Sequence, residues 1–271
     1  MKVARYPIKI SDKKSTLILG SFESIHYGHM SLIEEAKKKK QIITLLMIEN
    51  PTNIPGKKSS EYCAFETRLQ QVANLGIDQV VVLTFNDEVK NMEGEKFFES
   101  LVKLANATHV VVGKDFAMGH NRTLTAEKIK TIFENTSIVE PIKFNDVKLS
   151  TTTLKELVEV GQVDVVKKLS PFSYTITTRV SNEKTFDITT TLPHKGIYAA
   201  FAIVNDIKYW CMVKVGFDNN EIIIPDLQIK NSGFDTRIEM RKQIRTIIRK
   251  EQDIILDSDR EKAILYLQNN Q

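Results

Sequence analysis

Up to about residue 168, short unbroken apolar runs alternate with segments whose apolar residues recur every three or four positions. Residues 16–20 (TLILG), 42–48 (IITLLMI), 79–84 (QVVVLT) and 108–112 (THVVV) predict strands. Residues 30–40, 65–75 and 95–105 carry helical periodicity. Continuous β-branched runs, such as 80–82 and 110–112, suit strands covered on both faces. The alternation predicts an α/β domain of parallel strands joined by helical crossovers. From about Pro171 the pattern changes. Residues 173–180, 188–191, 197–204 and 208–215 read as strands between short polar turns, and helical periodicity returns over 238–249. This predicts a second, smaller, mostly antiparallel β domain with a C-terminal helix. The expected division is residues 1–169 and 170–271, with Pro171 punctuating it.

Composition narrows the function classes. Thirty-eight basic residues nearly balance 34 acidic ones, for a net charge of +4, so no general nucleic-acid footprint is expected. The four lysines at 37–40 end a predicted helix, where cations complement the macrodipole. Cys63 and Cys211, far apart in sequence, suggest neither a disulfide framework nor a zinc site. The first residues lack the apolar core of a secretory signal, and the apolar run at 42–48 is too short to span a bilayer. A cytoplasmic protein with no membrane or nucleic-acid partner is the expectation; oligomeric state is not legible.

The chemistry concentrates at the first strand–helix junction, residues 19–32 (LGSFESIHYGHMSL). A strand ends at Gly20, a loop follows, and His26-Tyr27-Gly28-His29 opens a helix. Ligands of open α/β sheets bind at the carboxyl ends of strands, and a helix N-terminus suits phosphate. Gly28 lets the backbone approach closely, and His26 and His29 then donate to phosphate oxygens. The His-x-x-His spacing also suits a metal pair, but the glutamate of a metalloprotease motif and a third ligand are missing.

HYGH matches the HxGH motif of nucleotidylyltransferases, and GSFESIHYGHMSLI resembles the GxFDGxHxGHxxL opening of prokaryotic bifunctional riboflavin kinase/FAD synthetases. Residues 75–85 (LGIDQVVVLTF), 111–122 (VVGKDFAMGHNR) and 150–161 (STTTLKELVEVG) resemble three further segments of that family, in order. The resemblance implies a Rossmann-like nucleotidylyltransferase domain followed by a β-barrel-like domain. It also implies transfer of AMP from ATP to FMN, giving FAD and pyrophosphate. His26, His29 and Lys155 take the catalytic places, and Gly20, Ser21, Phe22, Gly28, Lys148, Thr151 and Thr152 the ATP-binding ones. Asp115 and Asn50 are expected to position the flavin substrate. Mg²⁺ is expected on the ATP phosphates, held by phosphate and water rather than by a protein cage.

This chain departs from the family pattern in places. Glu23 stands for the usual Asp, Ser24 for Gly, Lys155 for Arg, and MIENP (47–51) for FxPHP. In the second half LPHKGIYAA (192–200) resembles the family's LPxxGVYA. The glycine-rich kinase pattern GRxLGFPTAN is absent, with SNEKTFDITT (181–190) in its place. Glu221 is the candidate for a residual kinase site. The expectation is an FAD synthetase with a silent riboflavin-kinase-like module. The alternatives are a working bifunctional enzyme and a flavin-binding regulatory protein without turnover.

Overall fold

The computed structural model describes residues 1–57, 60–227 and 233–270. Its contacts divide into two units. The first comprises residues 1–59 and 68–150; the second comprises 60–67 and 151–271. Residues 60–67 and 151–169 thus cluster with the β-rich half, so the compact units do not coincide with a cut at 169/170.

In chain order the first unit contains β1 (Lys2–Arg5), β2 (Ser15–Ile18), α1 (Tyr27–Lys37), β3 (Ile42–Ile48), most of α2 (Phe65–Asn74) and β4 (Gln79–Leu83). After these come α3 (Asp87–Asn91), α4 (Gly94–Ala105), β5 (Ala107–Gly113), β6 (Ala117–Met118), β7 (Leu124–Thr125) and α5 (Ala126–Ile132). The unit ends with β8 (Thr136–Val139) and the small hairpin β9 (Lys143–Phe144) and β10 (Val147–Lys148). Six strands form a parallel sheet in the order β1-β4-β3-β2-β5-β8. Every residue of β2 and β4 is buried, as their unbroken apolar runs require of strands covered on both faces. On one face, Phe97, Phe98, Leu101 and Ala105 of α4 pack into a cluster with Leu17, Val81, Val110 and Val112. The edge strand β1 (KVAR) is largely exposed and has no apolar signal. This is why the hydrophobic pattern does not predict it.

The second unit contains α6 (Thr151–Glu159), α7 (Val163–Leu169), β11 (Thr175–Val180), β12 (Thr185–Phe186), β13 (Gly196–Val204) and β14 (Ile207–Val215). β15 (Asn220–Ile223), β16 (Phe234–Thr246) and α8 (Asp257–Asn269) complete it. Its six strands form an antiparallel sheet in the order β11-β16-β13-β14-β15-β12. The two ends of that order are consecutive strands joined by a tight turn, in which the Ser181 amide donates to the Thr185 carbonyl at 2.8 Å. The sheet therefore curls into a nearly closed barrel. Asp259, Ala263 and Leu267, four residues apart on α8, are buried, and the last two pack on Ala199 and Met212.

Two expectations are corrected. Residues 238–249 are not a helix: 238–246 lie in the long strand β16. Its pairing with β13 slips twice, between Ile197 and Tyr198 and between Ala199 and Ala200, leaving Ile244 and Arg241 as extra residues. Each bulge shifts the two-residue alternation, so Ile238, Ile244 and Ile247 acquire a spacing that imitates a helix. Residues 188–191 are not a strand either; the chain there is irregular and the short strand lies earlier, at Thr185–Phe186.

Candidate functional site

The loop leaving β2 sets the first shape. A side chain at Gly20 would meet the Phe22 ring at 2.8 Å, so glycine is required under that ring. Phe22 itself sits at φ 47, a left-handed conformation costly for an aromatic residue, and is wholly buried. Its ring centroid lies 4.5 Å from that of His29.

His26 is the N-cap of α1. Its Nδ1 accepts from the His29 amide at 3.3 Å. An accepting Nδ1 carries no proton, so the neutral ring carries its proton on Nε2, where it is available as a donor. The His26 and His29 rings stack with centroids 3.9 Å apart. Gly28 lets them do so, since a Cβ there would meet the His26 ring at 3.0 Å. Burial, then the Lys148 charge, pushes His26 down to about 4. Burial, then His26, Lys57 and Lys148, pushes His29 well below the usual histidine range. His29 keeps some exposed surface, but its Nδ1 is enclosed and has no hydrogen-bond partner among the described residues. Both rings are therefore neutral at pH 7. They form a pair of dipolar donors at a helix N-terminus, and nucleotide charge would favour their protonation.

The neighbouring strand ends supply the rest of this unit's candidates. Asp115 follows β5, and its carboxylate pairs with Lys148, the last residue of β10. Asn50 follows β3; its Nδ2 donates to the Phe85 carbonyl at 2.9 Å and its Oδ1 accepts from the Phe85 amide at 2.7 Å. Asn50 thus ties the β3 and β4 loops together. Ser21 accepts from the Ile48 amide at 3.1 Å through its carbonyl. The first unit so gathers Gly20, Ser21, Phe22, His26, Gly28, His29, Asn50, Asp115 and Lys148 at the carboxyl ends of its parallel strands.

One residue beside the site, Lys57, was not legible in the sequence. Glu23 is buried, and Lys57 pairs with it at 3.3 Å. The Lys57 charge acts on both histidines. Nothing in its sequence context marks this lysine, whose loop has no periodicity.

Thr151, Thr152 and Lys155 belong to the second unit. Thr151 is buried at the start of α6, Thr152 is exposed, and the buried Lys155 ammonium donates to the Ser60 carbonyl at 2.6 Å. In the barrel, the Lys214 ammonium, only 5% exposed, donates to Glu221 at 2.8 Å and to the Asp253 carbonyl at 3.2 Å. An Asp253 carboxylate oxygen lies 3.3 Å away. Burial alone would lower Lys214, but Glu221 and Asp253 outweigh it and hold the ammonium above its ordinary value. Among the described residues no group of three or more His, Cys, Asp and Glu side chains is arranged to hold a metal ion. Among them, too, no helix is long and apolar enough to cross a membrane.

Comparison with known proteins agrees with this geometry. A family model described as FAD synthetase matches residues 8–153. The bifunctional riboflavin kinase/FMN adenylyltransferase of Bacillus subtilis is 23% identical over 97% of this chain and 95% of its own. An FAD synthetase of Listeria monocytogenes is 22% identical over 81% of this chain and 93% of its own. A crystal structure described as a macrolide-efflux protein from Streptococcus pneumoniae superposes with a TM-score of 0.83 over the whole of both chains at 21% identity, a likeness of fold.

Proposed function

The chain belongs to the FAD synthetase family, and from that premise we propose that it transfers AMP from ATP to FMN, releasing pyrophosphate and FAD. The observation that carries this reading is the stacked pair of neutral histidines at the N-terminus of α1, at the end of a parallel strand and inside the matched region.

An FMN phosphate oxygen attacks the α-phosphorus in line, and the bond to the β-phosphate oxygen breaks. No protein nucleophile is needed, so the chain's contribution is placement and charge. His26 donates from Nε2, His29 from the ring stacked on it, and the α1 amides complete the cradle. Lys148 exchanges Asp115 for nucleotide phosphate, which releases the carboxylate for substrate. Gly20, Ser21 and Phe22 shape the loop, and Asn50 fixes its neighbour. Adenylyl transfer is thereby assigned to residues 1–169, in the cytoplasm. Mg²⁺ is assigned to the ATP phosphates, which with water supply the oxygens it prefers, so that the donor set needs no carboxylate cage. When bound, it neutralises phosphate charge.

We also propose that residues 170–271 no longer phosphorylate riboflavin. Glu221, the candidate carboxylate, is held by the buried Lys214, which Asp253 also flanks. A carboxylate oxygen already engaged by an ammonium must give up that partner before it can reach a substrate hydroxyl.

The test is incubation of the pure chain with Mg-ATP and either FMN or riboflavin, followed by separation of the flavins. FAD from FMN and nothing from riboflavin is expected. FMN from riboflavin would show a working kinase, and no product from either would leave a flavin-binding protein without turnover.

A further inference from the structure

Arg68 has no exposed surface. Burying a guanidinium is costly unless its N–H groups are met. Its Nη1 donates to the Ile48 carbonyl at 2.7 Å and the Phe22 carbonyl at 3.4 Å, and its Nη2 donates to the Glu49 carbonyl at 2.6 Å. These three acceptors lie beyond the ends of two adjacent strands. Ile48 closes β3, Glu49 follows it, and Phe22 lies in the loop after β2. The β2–β3 ladder has its last registered pair at Ile18 and Leu45. Past that point one backbone bond, from the Ile48 amide to the Ser21 carbonyl at 3.1 Å, still joins the two chains, and the planar fork of one arginine bridges them further on, a geometry a lysine ammonium does not reproduce.

The tether is short on both sides. From Phe22, held at φ 47, the ring reaches His29 at 4.5 Å. From Glu49 the next residue is Asn50, whose carboxamide ties the β4 loop. We propose that Arg68 is a positioning residue for adenylyl transfer: it sets the β2 and β3 loops against each other and, through Phe22, fixes the place of the His29 ring. This rests on the reading of the site as an FMN adenylyltransferase. A merely structural arginine would lower stability without a selective effect on turnover.

The experiment compares the full chain with Arg68→Lys and Phe22→Leu, using Mg-ATP and FMN, and records the imidazole NMR signals of the histidines. Arg68→Lys is expected to remain folded, to lose 10- to 100-fold in kcat with KM for either substrate changed less than threefold, and to shift the His29 ring signals while those of His194 stay. Phe22→Leu leaves the three backbone acceptors in place and removes the ring that links the β2 loop to His29, although it also alters the nucleotide loop itself. It should shift the same His29 signals, and if Arg68→Lys does not fold, Arg68→Gln, which can still donate to one of the carbonyls, is read by the same kcat, KM and NMR measurements. Wild-type kcat in a folded variant, a loss confined to KM, or unmoved His29 signals would overturn the proposal while leaving adenylyl transfer intact. Absence of FAD from the wild-type chain would remove both together.

Discussion

His29 is oriented from close by, by the stacked His26, the buried Phe22 and its own amide on the His26 cap. On the proposed mechanism, replacing it with alanine removes a donor aimed at developing charge but leaves that cap acceptor in place. His29→Ala is therefore expected to keep the wild-type melting temperature within a few degrees and to lose on the order of 100-fold or more in FAD formation, as followed by flavin separation. His26 carries a second consequence. Its folded value of about 4 lies below the unfolded one, so as pH falls from about 6.5 the unfolded chain takes up a proton that the folded chain refuses. Stability should drop between about pH 6.5 and pH 4, by up to on the order of 3 kcal/mol from this group. His26→Asn, which can still cap the helix, should reduce the slope of the melting-temperature profile over that window, the depressed His29 supplying the remainder. The histidines, Gly28 and the GKDFAMG aspartate were legible because they sit in a motif whose spacing carries chemistry. Arg68 was not, because a lone arginine four residues before the buried Val72 reads as part of an ordinary helix until its three carbonyls are seen.

At the level of elements, the parallel sheet was readable almost strand by strand, since a run buried on both faces must be apolar throughout. The barrel was less so. Its strands bury one face, and where β16 bulges the alternation that identifies a strand is broken. The terminal helix was expected, but over 238–249, whereas α8 spans Asp257–Asn269. What holds it is a charge: Asp259 of α8, 1% exposed, accepts from Arg245 of β16 at 2.8 Å and from the Leu256 amide at 3.0 Å. Burial pushes the Asp259 carboxyl up, but Arg245 and that amide outweigh it and keep it below its ordinary range. Asp259→Ala leaves the guanidinium facing an apolar side chain and the helix uncapped. A loss of about 3 kcal/mol is expected, measurable by urea unfolding, with α8 losing amide-exchange protection first.

Across the whole molecule the chain crosses between its two units three times, at 59/60, 67/68 and 150/151. Within the barrel unit the short insert 60–67 is firmly bound. The Glu61 carbonyl accepts from the Thr191 amide at 2.8 Å and its hydroxyl at 3.0 Å, Thr67 and Thr177 share a hydrogen bond of 2.8 Å, and Tyr62 packs edge-on against Tyr174 at 5.4 Å. The insert runs directly into α2, the helix that carries Arg68. A gene that shed residues 170–271 would strand this insert with Tyr62 and Cys63 bared to water. The chain cut after residue 169 is accordingly expected to accumulate insolubly, and co-expression with residues 170–271 to restore soluble, FAD-forming protein by fragment complementation. On the proposed reading, loss of riboflavin phosphorylation leaves the barrel under selection, because it also holds the insert that leads into α2.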